Sequence, residues 1–512
     1  MLKEFNIQSF LKLGIGLSFL AAAFLFVIGF YYTDLGCDGG WYSYPALALS
    51  RGGSPDENLK TVDEIKHVGG VKALFGFKTY TSIRTLYTSL WFRYISKDIY
   101  FLKLLSGLEL VTMLTFGYLL ISRFCVDKLS KMAIFSILIN DKSFIINAAS
   151  DFRPDNLVAA LTCLTFLTLL KSPLTLFRML SAMVVSSMLL LVHVTAIIPF
   201  LCISVFFLFE SGLNYRWKVS QNYKYILIVI WGICIFLIST RLFDALLLPR
   251  GELIPSSVKV GERVLQSWNE GLRFLFNKEL LRWWHYFFTS NVATLFSLLV
   301  GIGLIFYRWY GGSLLKSGKR GLALLLALAT GTSLLLAFDP HLASAHAIPI
   351  VVFFFFFLVH EVNVTKLSTK ALTLLLVGLV YFASLSSVAL ATKIFVESRR
   401  SGFTVSAIKD SLEALTMSNK KAYLIIGPTE VWPFIKAEKN VLIIDKGARI
   451  IDPKITGPII GSVDYVILNN DFGPNWERDF SKIFTQYNLV RIRQLGDAKR
   501  FLKIYRLVHG TP

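Results

Sequence analysis

The stretch LGIGLSFLAAAFLFVIGFYY, residues 13–32, decides the fold. It carries no charge, and at a helical rise of about 1.5 Å per residue it spans roughly 30 Å, the thickness of the hydrocarbon core of a bilayer. Lys3 and Lys12 precede it, as basic residues precede a secretory signal, but the run is too long for a typical signal core and lacks a small-residue cleavage site. Asp34 stands before Leu35-Gly36-Cys37, where a lipoprotein site wants a small or apolar residue. The run therefore reads as an uncleaved first transmembrane helix.

Outward from it, similar apolar runs recur near 101–121, 132–148, 156–170, 178–192, 194–210, 225–248, 289–307, 321–338, 347–362 and 371–392. The stretch from Met179 to Phe209 is too long for one helix, and the polar His193 and Thr195 mark the turn that divides it. The expectation is an α-helical polytopic membrane protein of about eleven transmembrane helices, which with their outside loops occupy residues 1–396. Composition agrees: 54% of the 512 residues are hydrophobic and 17% charged, more apolar surface than soluble cores of that length can hide. The net charge of +20 excludes little by itself, but Lys and Arg sit in short connectors rather than on an aromatic-laced stripe, so no nucleic-acid partner is expected.

Those connectors orient the chain. With the N-terminus inside, the cytoplasmic links carry Arg123, Lys128 and Lys131, then Lys171 and Arg178, then Arg216, Lys218 and Lys224, then Arg308, Lys316, Lys319 and Arg320, then Lys366 and Lys370. The outside segments are then 33–100, 150–155, 249–289 and 339–346. From about Glu397 the composition changes. KAYLIIGP, NVLIID and VDYVILNN read as short buried strands and WERDFSKIFTQY as an amphipathic helix, so 397–512 is expected to form a small soluble α/β domain on the non-cytoplasmic side. Its first strand ends in Gly427-Pro428 without a dinucleotide-binding glycine pattern, and GGSLLKSGKR has the wrong spacing for a phosphate loop, so no nucleotide cofactor is expected. The five cysteines, Cys37, Cys125, Cys163, Cys202 and Cys234, show no metal or disulfide spacing.

The chemistry concentrates in the outside segments. GCDGGWYSYPALALSRGGSPDENL places Asp38 at the membrane surface, ahead of a segment that as a helix stacks Trp41, Tyr44, Pro45 and Ala48 on one side and suits the membrane interface. This arrangement resembles the first outside loop of the C-type superfamily of membrane glycosyltransferases (GT-C). There an acidic residue is followed by Tyr, a small residue, apolar positions and Gly-Gly-x-Pro. The stretch TLYTSLWFRYISKDIYFLKLLSGLELV is similar to that family's return into its second transmembrane helix, within relatives such as protein mannosyltransferases and lipid A aminoarabinose transferases.

The resemblance implies an inverting glycosyltransferase that moves a sugar from a polyprenyl-phosphate carrier to an acceptor on the non-cytoplasmic face. Asp38 is then the general base. NAASDFRPDNLVAAL resembles the family's second short outside loop: Arg153 is the candidate to clasp the carrier phosphate, and Asp151 to orient the acceptor or help hold a divalent cation. Pro154 and Asp155 equally suit the first turn of a helix. His193, His341 and His346 lie at expected outside helix ends as further substrate-binding candidates, with FDPHLASAHAIPI resembling the family's late outside loop although His stands where Arg or Tyr is usual. Glu109, inside the second apolar run, is costly in hydrocarbon unless it faces protein or water. Arg241 and Asp244, one helical turn apart, read as a structural pair. The expected location is a bacterial inner (plasma) membrane, with the site and the tail on the periplasmic or extracellular side. The competing class is a transporter or flippase, which would show repeated halves and broken helices around a midplane site.

Overall fold

The computed structural model describes residues 7–33, 36–53, 59–60, 82–124, 127–171, 173–213, 219–247, 292–310, 319–338, 348–365, 369–416, 423–426, 441–444, 465–469, 487–496 and 501–509. Helix α1 (Ile7–Tyr32) is followed by α2 (Gly36–Ser50), a two-residue strand β1 (Leu59–Lys60), α3 (Ile83–Tyr94) and α4 (Ile99–Phe124). Then come α5 (Lys128–Ile139), α6 (Lys142–Ile146), a π-helical turn (Asn147–Asp151), α7 (Asp155–Leu169), α8 (Leu176–Val192), a 3₁₀ turn (Val194–Ala196) and α9 (Ile197–Leu213). The bundle continues with α10 (Val219–Leu247), α11 (Val292–Tyr310), α12 (Lys319–Phe338), α13 (Ile348–Val364) and α14 (Thr369–Ser401).

Among the described residues, four helical stretches are long and apolar enough to cross a bilayer: Ile7–Tyr32, Ile99–Phe124, Ser220–Ser239 and Lys370–Leu412. Shorter apolar helices accompany them at Asp155–Leu169, Leu176–Val192, Ile197–Ser211, Leu299–Arg308, Arg320–Leu334 and Ile350–Val364. With the apolar side chains of Leu20, Phe177, Val184, Ile230 and Leu385 left exposed on helix faces, these helices make the chain an integral membrane protein. The expected eleven spans go beyond what helix length establishes, because α7, at 15 residues, covers only about 22 Å.

The apolar run 132–148 is not one straight helix. It is the pair α5 and α6 bent by 50°. Asn140 ends α5 and turns its amide to Ser18 O at 3.0 Å and Ser136 O at 2.8 Å, while Asp141 caps α6 by accepting from Ser143 N at 3.0 Å. Two polar side chains that satisfy backbone groups locally outcompete the continuous helix that hydropathy alone implies.

The bundle core centres on Phe166 of α7, stacked on Phe356 at 5.5 Å and against Phe206 at 4.9 Å and Phe207 at 5.2 Å. Phe353, Phe354, Phe355, Phe356 and Phe357 are all buried, so FFFFF is core rather than lipid-facing. Arg308, placed by sequence in a cytoplasmic link, is buried and paired with Glu361, and Arg320 pairs with Glu210. Part of the basic excess thus serves internal pairing.

The tail holds α15 (Val405–Thr416), β2 (Tyr423–Ile426), β3 (Val441–Ile444), β4 (Tyr465–Asn469), β5 (Tyr487–Gly496) and β6 (Phe501–His509). The sheet order is β1-β3-β2-β4-β6-β5. Strands β3, β2 and β4 pair in parallel, as their continuous apolar composition suits, and the alternating β5 and β6 add an antiparallel pair. This pair is absent from the sequence reading. The helix expected at 476–487 lies outside the described residues apart from Tyr487, which opens β5. Strand β1, between α2 and α3, pairs Leu59 with Ile443 at the edge of this sheet.

Candidate functional site

Helix α2 carries Asp38 in its first turn, where a carboxylate favours the positive helix end. The Asp38 side chain lies outside the described residues. Beyond it the expected interfacial segment is instead enclosed: Tyr42, Tyr44, Ala46, Leu47 and Ala48 are all buried. They share one apolar core with Phe92, Leu102, Phe152, Val405, Leu412, Tyr465 and Ile504. The physical reason is packing: α2 lies against α3 and the π-helical turn, and its buried residues join a core to which α15, β4 and β6 also contribute.

Helix α2 packs against the π-helical turn 147–151, which in turn packs on α1, α4 and α7. Gly29 of α1 permits this close approach, since a Cβ there would come within 2.8 Å of Ala149 Cβ. The turn ends at Asp151, whose side chain also lies outside the described residues. Phe152 follows at φ 46° and ψ 37°, a left-handed conformation that a bulky L-residue rarely adopts. Its N–H donates to Asn147 O at 3.1 Å, and the Arg153 N–H donates to Asn147 Oδ1 at 3.1 Å. Arg153 is buried and donates through Nε to Asp155 Oδ2 at 2.8 Å, while Pro154 and Asp155 open α7. Asp155 thus holds the guanidinium by its stem-side nitrogen and orients its terminal nitrogens.

The Glu109 carboxylate is compensated from α3. Arg84 of α3 donates from Nε to Glu109 Oε1 at 2.7 Å and from Nη2 to Glu109 Oε2 at 2.8 Å. The Tyr87 hydroxyl donates to the same carboxylate. Burial and the Glu109 charge push the Tyr87 hydroxyl well above its ordinary pKa, which keeps it a donor. The third arm of Arg84, Nη1, donates to Phe152 O at 2.7 Å, and its guanidinium lies 4.0 Å from the Phe152 ring centroid. Nearly two turns earlier on α4, fully buried Lys103 donates from Nζ to Phe30 O at 2.8 Å, to Gly29 O at 3.4 Å and to Thr33 O, closing the end of α1.

His193 ties α2 to the junction of α8 and α9. Its Nδ1 accepts from the Thr195 N–H at 3.3 Å and meets Thr195 Oγ1 at 2.6 Å, and its Nε2 shares a hydrogen bond of 2.8 Å with Tyr42 OH. An accepting Nδ1 leaves the proton on Nε2, directed at Tyr42. His341 and His346 lie outside the described residues, as do the Arg241 and Asp244 side chains. The structure therefore brings the segments of Asp38, Asp151, Arg153 and His193 together around α2.

Sequence reasoning missed Arg84, Tyr87, Lys103 and Tyr42. A usable signal existed for one of them: Lys103, like Glu109, is a charge inside an otherwise apolar run, and each needs a partner in hydrocarbon. Among the described residues no group of three His, Cys, Asp or Glu side chains could hold a metal ion.

No protein-family model matches the chain, and no curated protein matches it. Among solved structures it is similar to the archaeal oligosaccharyltransferase AglB from Archaeoglobus fulgidus in complex with an inhibitory peptide and a dolichol-phosphate. That match has a TM-score of 0.48 and 12% identity over 93% of this chain and 72% of that one. A second structure, the Archaeoglobus fulgidus oligosaccharyltransferase in complex with Zn and sulfate, matches at a TM-score of 0.47 and 13% identity, over 93% of this chain and 71% of that one.

Proposed function

We propose that this chain is an inverting glycosyltransferase that moves a sugar from a polyprenyl-phosphate carrier to an acceptor on the non-cytoplasmic face of the membrane. The observation that carries the reading is the packing of α2, whose first turn holds Asp38, against the turn that ends at Asp151 and leads into Arg153. The Asp38 carboxylate takes the proton from the acceptor hydroxyl or amine as that atom attacks the anomeric carbon. The bond from that carbon to the phosphate oxygen breaks on the opposite face, and the polyprenyl phosphate departs with the electron pair. Because it is a good leaving group, one carboxylate suffices where glycoside hydrolases use two.

Arg153, oriented by Asp155, contacts the carrier phosphate, with His341 and His346 contributing from the late outside segment and His193 from the α8–α9 junction. Asp151 orients the acceptor. Asp38 and Asp151, carboxylates on two backbone segments in contact, are oxygen ligands of the kind a hard divalent cation takes, and such an ion would neutralise charge on the carrier phosphate. That segment 33–100 and the tail lie on one side of the membrane is supported by their shared apolar core, by the β1–β3 pairing and by the Lys409–Asp98 ion pair at 2.7 Å, and the basic connectors make that side the non-cytoplasmic one in this reading.

The transporter reading draws on one observation, the 50° break between α5 and α6. Purified protein in detergent, given a panel of radiolabelled polyprenyl-phosphate sugars, separates the two: a transferase releases the lipid phosphate and a transporter does not. Asp38→Asn should lower turnover by at least roughly a hundredfold while carrier binding changes little. Asp56→Asn and Glu57→Gln should retain most activity. A folded Asp38→Asn protein turning over near the parent rate would sink the assignment.

A further inference from the structure

We propose that Arg84 is a positioning residue for the donor site: it clamps the left-handed turn at Phe152 to the second transmembrane helix, and so fixes the orientation in which Arg153 meets the carrier phosphate. The ligand, a polyprenyl monophosphate, rests on the glycosyl-transfer reading above; the clamp itself does not.

Phe152 is the one non-glycine residue with positive φ among those described. Released, a bulky residue leaves that region for the β or right-handed helical region, and the chain direction at Arg153 changes with it. Asn147 holds this segment from one side, through the amides of Phe152 and Arg153. Arg84 holds it from the other, with Nη1 on the Phe152 carbonyl and the guanidinium face over the Phe152 ring. Glu109 anchors the clamp, because its carboxylate binds Nε and Nη2 side by side and sets the plane of the guanidinium. A buried ion pair needs only two arms. The third arm reaches the strained residue that immediately precedes Arg153. Helix α3, which carries Arg84, also packs on α2, so the clamp is referenced to the Asp38 helix as well.

Lysine separates a positioning role from a charge-pairing one. Arg84→Lys keeps a cation beside Glu109 but lacks the fork that reaches two acceptors in fixed directions. The test uses the full-length protein in detergent, with hydrogen exchange over residues 147–153 and calorimetric binding of farnesyl phosphate as the probe. Arg84→Lys should speed exchange of the Phe152 and Arg153 amides about tenfold, the scale of one lost hydrogen bond, and leave Ile197–Leu213 unchanged. Affinity for farnesyl phosphate should fall about tenfold in the parent background and no further in an Arg153→Lys background, since one residue acts through the other. If Arg84→Lys fails to fold, Arg84→Met with Glu109→Gln removes the ion pair, keeps an acceptor for Tyr87 and supports the same comparison.

Unchanged exchange at 152 and 153 overturns the clamp. Faster exchange with affinity losses that multiply in the Arg153→Lys background overturns positioning through Arg153. A parent protein that does not bind farnesyl phosphate while the exchange result holds overturns the carrier reading and leaves the clamp standing.

Discussion

Lys103→Met is the perturbation whose size the structure defines best. The substitution keeps an unbranched side chain, one atom shorter, and removes an ammonium group that is fully buried at the end of α1, where Phe30 O at 2.8 Å, Gly29 O at 3.4 Å and Thr33 O accept from it. Each of the two close hydrogen bonds to a charged donor contributes about 1.5–3 kcal/mol, and the negative helix end adds up to about 2 kcal/mol. Against this, relieving the desolvation of a buried ammonium returns several kcal/mol by a rough estimate. The relief is incomplete because the Phe30 and Thr33 carbonyls remain, now facing the methionine methyl, while Gly29 O still accepts from the Thr33 N–H, and each unsatisfied acceptor costs about 1–3 kcal/mol. The net expectation is a loss of about 2–4 kcal/mol. Reversible unfolding in mixed detergent micelles, followed by tryptophan fluorescence, measures it. Because the α1 terminus leads directly into α2, turnover should fall along with stability. A Lys103→Met protein within about 0.5 kcal/mol of its parent would refute the reasoning, since a surface change away from such features costs no more than that.

Three further outcomes are expected. Arg153→Lys should raise the donor KM about tenfold with folding intact, because the ammonium keeps the charge and loses the two-pronged geometry; unchanged donor affinity would remove Arg153 from the site. Leu59→Cys with Ile443→Cys should form a disulfide under a membrane-impermeant oxidant added outside, since the two residues are paired in register on neighbouring strands about 4.8 Å apart, and a protein that stays uncrosslinked while both thiols react from outside would contradict that pairing. Gly232→Ala should destabilise by about 1–3 kcal/mol in the same unfolding assay, because its Cβ would stand 2.0 Å from Phe200 Cζ, and a neutral effect would mean that α9 and α10 pack less closely than described.

The membrane helices were readable because hydropathy is a local property: the run at 13–32 appears as α1, the run at 101–121 as α4, and that at 225–248, as far as Leu247, in α10. The apolar strands of the tail were readable for the same reason, at Tyr423–Ile426, Val441–Ile444 and Tyr465–Asn469. The antiparallel strands β5 and β6 were not, since alternation with Arg491, Arg493, Lys503 and Arg506 weakens the apolar signal that a half-exposed strand leaves in its sequence.

At the site, sequence alone pointed to the segments and only tertiary structure supplied their partners. Asp38 and Arg153 stood out through local context, and Glu109 as a charge in hydrocarbon. That Glu109 pairs with Arg84 across 25 residues, that Arg84 also holds Phe152 across 68, and that Tyr42 meets His193 across 151, depended on how the helices pack. The same holds for the burial of α2, whose residues carry the pattern of an interfacial helix. Part of the core it joins comes from α15, β4 and β6 far later in the chain, and burial by distant chain has no signature in the buried segment, because burial is a property of the pair of surfaces and not of either one.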